Sequence, residues 1–117
     1  MSSADRSVES SFGPIRGVPT VVTTTASTTP AVLSADLVDS SWHVVRRVFI
    51  YNQDSTDSIA LLMKPNGTNW AASGYTITDG LLVPPGQFRQ VSVSSAISLG
   101  VVASANTPAY NAIISDT

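Results

Sequence analysis

The sequence predicts an all-β protein: a single antiparallel β-sandwich of about seven short strands, jelly-roll-like or immunoglobulin-like, with an extended N-terminal arm. Three observations predict it. Turn chemistry recurs about every 8 to 12 residues from position 52 onward, the spacing of a sandwich or barrel. Between turns, apolar and polar residues alternate, as with Ile97, Leu99, Val101 and Ala103, which is the period-two pattern of a strand with one buried face. Charged residues make up 12% of the chain and hydrophobic ones 43%, with Ser and Thr abundant, a composition suited to a neutral, hydroxyl-covered β surface. At 117 residues there is enough chain for one modest core and not for two.

In order along the chain, residues 1–41 read as the arm and residues 42–117 as the sandwich domain. The first 41 residues hold 15 Ser or Thr, with Pro14, Pro19 and Pro30 and few large apolar side chains, so this part is not built to bury itself. Its tract TVVTTTASTTP, residues 20–30, is β-branched and favours an extended arm or an edge strand. SADLVDSSW, residues 34–42, suits one helical turn capped by Ser34, or a loop. HVVRRVFIY, residues 43–51, has apolar residues on both faces and reads as a central strand. The Asx and Ser turn NQDSTDS follows, then SIALLMK with Ile59, Leu61 and Met63 on one face; the two strands are expected to form a hairpin.

Pro65-Asn66-Gly67 is a turn, and NWAASGY carries two aromatics among small residues. Asp79-Gly80, expected at positive φ, and Pro85-Gly86, suited to the centre of a type II turn, bracket Leu81, Leu82 and Val83 as a tight corner at the sandwich edge. FRQVSVSS, with Val91 and Val93 on one face, ISLGVVAS and AYNAIISD complete the strands.

The chemistry that the sequence lacks narrows its function. Six basic against eight acidic residues give a net charge of −2, and Arg46-Arg47 is a pair rather than a patch, which argues against a nucleic-acid backbone as partner. There is no cysteine for a disulfide or a thiolate metal site. The N-terminal residues lack the apolar core of a signal peptide, and no run approaches the ~20 apolar residues of a membrane span, so synthesis in a cytoplasm and no membrane partner are expected. Asn66-Gly67-Thr68 matches a glycosylation acceptor, but the turn accounts for it.

No catalytic, cofactor-binding or metal-binding residue is assigned. His43 has no nucleophile near it in sequence and reads as packing at the start of its strand. Asp54 and Asp57 flank a Ser/Thr turn that they would cap; a calcium loop needs more acidic ligands at alternating positions. Asp36, Asp39, Asp54, Asp57 and Asp79 all fall in predicted turns, which makes a poor source of paired glycosidase carboxylates. The candidates that remain are partner contacts: Phe12, Ile15, Val21 and Val22 on the arm, with Phe12 as its anchor; Arg46 and Arg47, alternating on one strand; and Trp70 with Tyr75, either an exposed platform or a plug closing one end of the sandwich.

The succession RRVFIYNQDS, IALLMK, ITDGLLVPPGQF and ISLGVVASANTPAYNAII, covering roughly residues 44–114, resembles the small β-sandwich virion structural proteins of tailed bacteriophages. Thr78, Gly80, Leu82, Pro85 and Gly86 fall at the corner of that pattern. The resemblance implies a non-enzymatic head decoration or cement protein located in the virion, homo-oligomeric, with the major capsid protein or other virion proteins as partners and with its arm clamping neighbouring subunits. It equally admits a neck or tail connector. A receptor- or carbohydrate-binding module using Trp70 and Tyr75 is the alternative of a different class.

Overall fold

The computed structural model describes residues 20–34, 46–94 and 96–115, which form eight strands: β1 Thr20–Thr25, β2 Ala31–Ser34, β3 Arg46–Asn52, β4 Ile59–Pro65, β5 Leu81–Val83, β6 Phe88–Val93, β7 Ile97–Ala103 and β8 Ala109–Ser115. Two short 3-10 turns, Trp70–Ala72 and Ile77–Asp79, lie between β4 and β5. The strands make two four-stranded antiparallel sheets, β1-β8-β3-β6 (sheet A) and β2-β7-β4-β5 (sheet B). The β-sandwich is as expected, with one strand more.

The pairing has a simple logic. β1 pairs with β8, β2 with β7, β3 with β6 and β4 with β5, so the chain is folded double into one long antiparallel ribbon. Rolling that ribbon brings β3 against β8 and β4 against β7, which places successive ribbon segments in alternate sheets. This is the double-Greek-key jelly roll rather than an immunoglobulin arrangement.

Two expectations about the chain path are corrected by this topology. β3 and β4 are not a hairpin: they belong to different sheets, and the Asn52–Ser58 loop crosses between them. Their partners are β6 and β8 for β3, β5 and β7 for β4. The described part of the expected arm, in turn, is not separate from the sandwich, and its tract 20–30 supplies the edge strand, the alternative to a free arm. Residues 20–25 and 31–34 are edge strands of sheets A and B, and Ala26 and Leu33 enter the core. Residues 1–19 and the candidate helical turn at 35–42 lie outside the described residues.

Alternation places the core. Val48 and Ile50 of β3, Ile59 and Leu61 of β4, Leu99 and Val101 of β7 and Ala112 and Ile114 of β8 point between the sheets and are buried. β3 is central in sheet A, as its two apolar faces suggest. β4 is buried on both faces: Ala60 and Leu62 point outward from the sandwich and are covered, with Val102, by Trp70.

The corner around β5 is tight for two different reasons. Pro84-Pro85-Gly86-Gln87 closes with a Gln87 N–H to Pro84 carbonyl bond of 3.1 Å, and Gly86 has φ +70°, the conformation expected at the third position of a type II turn. Gly80 departs from expectation: its φ is −146°, ordinary extended backbone. Glycine is required there by proximity, since a Cβ would lie 2.4 Å from the Leu61 carbonyl oxygen. The turn before it is held by a capping box, Thr76 accepting from the Thr78 N–H and Asp79 accepting from the Thr76 N–H.

Candidate functional site

Trp70, one of the two candidate platform aromatics, is part of the fold. The segment between β4 and β5 folds back over the outer face of sheet B and lays the Trp70 ring on Gly100 of β7, where any Cβ would come within 2.7 Å of the indole. The indole Nε1–H donates to Ser98 Oγ at 3.2 Å. With 7% of its surface exposed, Trp70 cannot serve as a sugar-stacking platform. Tyr75 meets Trp70 edge-to-face at 6.1 Å, is half-buried, and has the Lys64 ammonium 4.6 Å above its ring.

Arg46 points inward from β3, is buried, and donates from Nη2 to the Ile97 carbonyl across the sandwich. It is therefore no surface contact. Val22 likewise faces inward and packs on the core. Phe12 and Ile15 lie outside the described residues, as does His43. Val21 and Arg47 remain exposed, and alternation puts both on the outer face of sheet A.

That face carries a feature the sequence reading missed. Strand register aligns Val21 of β1 with Ile113 of β8, Ile113 with Phe49 of β3, and Phe49 with Gln90 of β6. The next row aligns Thr23, Asn111, Tyr51 and Phe88. Phe49 and Phe88, diagonal neighbours, stack with ring centroids 5.0 Å apart and planes at 27°. The result is an apolar strip across all four strands, with Val21 66%, Phe88 55%, Ile113 40% and Tyr51 36% exposed to solvent. Arg47 and Ser115 flank it one row away. A contiguous strip of this kind marks an interaction surface, whereas single exposed apolar residues do not.

The acidic turn is a structural cap. Asp54 accepts from the Thr56 N–H at 2.9 Å, the Asp57 N–H at 2.7 Å and Thr56 Oγ1 at 3.0 Å. The two backbone donors, Asp57 first, hold its carboxyl below the ordinary aspartate range. A carboxyl lowered in the folded state stabilises the fold above its unfolded pKa, near pH 4, and loses that contribution as pH falls through its lower folded value. Asp54→Asn is therefore expected to melt below wild type at neutral pH, with the gap narrowing below about pH 4; a gap independent of pH in parallel thermal scans would contradict the assignment.

Among the described residues, no three His, Cys, Asp or Glu side chains come together as metal ligands, and no helix is long and apolar enough to cross a membrane. Fold and surface thus define a class, a jelly-roll domain presenting an apolar sheet face. No family model matches the chain, and no curated protein or solved structure is significantly similar to it.

Proposed function

We propose that this chain is a non-enzymatic structural protein of a bacteriophage particle, a head decoration or cement protein seated on other virion proteins through the outer face of sheet A. The observation that carries the reading is the strip on the outer face of sheet A, with Val21, Ile113, Phe88 and Tyr51 exposed and Phe49 half-buried among them, bordered mostly by hydroxyl and amide side chains with Arg47 one row away. Jelly rolls serve both capsids and lectins, so the fold does not choose between them. The burial of Trp70 removes the aromatic platform that the lectin alternative needed.

The energetics favour use in many copies. Covering roughly 300 Å² of apolar surface contributes about 7 kcal/mol, while association costs about 4 to 15 kcal/mol in lost freedom and ordering. One such contact is weak. A lattice of identical copies, each adding the same contact across a joint, turns weak single contacts into a stable shell. The sheet face carries the clamping role in this reading, because the β1 and β2 segments of the expected arm belong to the sandwich.

The test is particle association. Gradient-purified phage particles from a culture expressing the gene are expected to contain the chain at fixed stoichiometry, and particles stripped of it to rebind the purified protein. Phe49→Ser with Phe88→Ser, a double change on the outer face of sheet A, should weaken rebinding about 30-fold while leaving the β circular dichroism spectrum intact. A chain that stays with free protein in the gradient, or a double variant that rebinds like wild type, would refute the reading.

A further inference from the structure

The four sheet edges are not equally protected. β5 is three residues long and runs directly into Pro84-Pro85, which cannot donate to a ladder. β2 has four residues, with its register broken between Val32 and Ser34. β6 places Arg89 within the edge strand. These are the devices by which natural sheets block pairing with another chain. β1 has none of them within its length: all six residues, TVVTTT, pair with β8 in unbroken register, and it contains no charge, no proline and no glycine, although Pro19 precedes it in the sequence. Val21, Thr23, Thr24 and Thr25 are exposed, and among the described residues no strand pairs with the outer side of β1.

We propose that β1 is a self-pairing edge: two copies of this chain join β1 to β1 in antiparallel fashion about a two-fold axis, merging their A sheets into one eight-stranded sheet. Three observations favour a second copy as the occupant. An uncharged edge meets its own copy without like-charge repulsion, although the whole chain carries a net charge of −2. A run of Val and Thr is self-complementary, because Thr–Thr and Val–Thr cross-strand pairs are favourable whichever two-fold register is adopted. Finally, a two-fold antiparallel seam at β1 keeps the outer faces of both A sheets on the same side, so Val21 and the apolar row that continues through Ile113 to Phe49 share one continuous face with those of the second copy. This inference stands independently of the particle reading, since it concerns the isolated protein.

A seam confined to β1 is at most about 20 Å long and buries less than the roughly 1,200 Å² of a standard interface. The expected dimer is accordingly reversible, forming in the micromolar range. Sedimentation of the full chain over roughly 1 to 500 µM should show a monomer–dimer midpoint. Thr23→Lys, which sets a charge from each copy on the seam, should move that midpoint at least tenfold upward; Ser92→Lys on the β6 edge should leave it in place. Because the chain has no cysteine, Thr23→Cys and Thr24→Cys provide a second readout. At least one of them should oxidise to a covalent dimer faster than Ser92→Cys.

Three results would overturn the proposal. The first is a wild-type protein monomeric throughout, with β1 cysteines no more reactive than the β6 control. The second is a dilute monomer whose outward β1 amides resist hydrogen exchange, which would mean that the chain covers this edge itself. The third is a dimer unaffected by Thr23→Lys but abolished by the Phe49/Phe88 double change, which would place the contact on the sheet face and weigh on the particle reading instead.

Discussion

Asn52→Ala is expected to unfold well below wild type, with a loss of about 3 to 5 kcal/mol and a melting point lower by about 15 °C or more. Asn52 ends β3 in sheet A, and its side chain is fully buried. Its Nδ2 donates to the Asp57 carbonyl at 2.8 Å and to the Val83 carbonyl of β5 in sheet B at 3.0 Å, while its Oδ1 accepts from the Asp54 N–H at 2.9 Å. One amide thus ties the end of β3, the crossover loop and the corner strand together. The same residue's backbone exchanges bonds with Gln87 and Gly86 at 2.9 and 3.0 Å, so the corner cannot move away to let water in without breaking more. Removing the side chain leaves the buried Val83 carbonyl, at a cost of about 1 to 3 kcal/mol, and the part-buried Asp57 carbonyl and Asp54 N–H, at a smaller cost, without this partner, and opens a cavity besides.

Asn52→Asp sharpens the test. The carboxylate keeps an acceptor for the Asp54 N–H but turns the donor toward Asp57 and Val83 into a second acceptor, so at neutral pH it should be less stable than alanine. At acid pH a protonated carboxyl donates again, and the order should reverse. Equal stability of all three proteins in urea unfolding would show that the amide network does not hold the corner.

Trp70→Ala should cost about 3 to 5 kcal/mol, the usual loss on truncating a buried aromatic ring. It uncovers Ala60, Leu62 and Val102 on the outside of sheet B and leaves the Ser98 hydroxyl without the indole donor. Gly100 supplies a control that separates this packing from a general surface effect. In the wild-type background, Gly100→Ala must push the indole away, because its Cβ would fall 2.7 to 2.9 Å from three ring carbons. In the Trp70→Ala background the same methyl enters vacated space and should cost close to nothing. The double-mutant cycle is therefore expected to show strong coupling, and additive effects in chemical denaturation would mean that the ring does not sit on Gly100.

Much of the fold was legible in the residues. The turn at Pro65-Asn66-Gly67 forms as expected, with Gly67 at φ +88°, and the Pro85-Gly86 turn likewise, because turn type follows from the φ that proline fixes and glycine permits. The strand at Ile97–Ala103 follows from alternation alone. At Gly80 an Asp-Gly pair suggests positive φ, whereas the need for glycine arises from the carbonyl of Leu61, a residue nineteen positions earlier, on β4. Local sequence cannot report a contact of that kind.

The interaction surface was less legible. Phe49 and Tyr51 were visible as a second apolar face on β3, and this was the available signal, but a strand apolar on both faces is equally the mark of a buried central strand. Val21, Ile113 and Phe88 looked unrelated because they are separated by most of the chain. They meet only because β1, β8, β3 and β6 are neighbours in one sheet at a particular register.

The sequence by itself determined the class of fold, the position of most strands, the turns at Pro65-Asn66-Gly67 and Pro84-Pro85-Gly86, and the apolar face of several strands. These depend on properties of a few adjacent residues: backbone sterics, side-chain branching and a two-residue period. Tertiary structure alone decided that β3 and β4 part company, that residues 20–34 belong to the sandwich, that Trp70 is buried, and that five scattered apolar residues form one strip. Each of those outcomes depends on which distant strands pair and with what offset, and that choice is set by the total apolar area buried when the ribbon rolls up, a quantity no short segment contains.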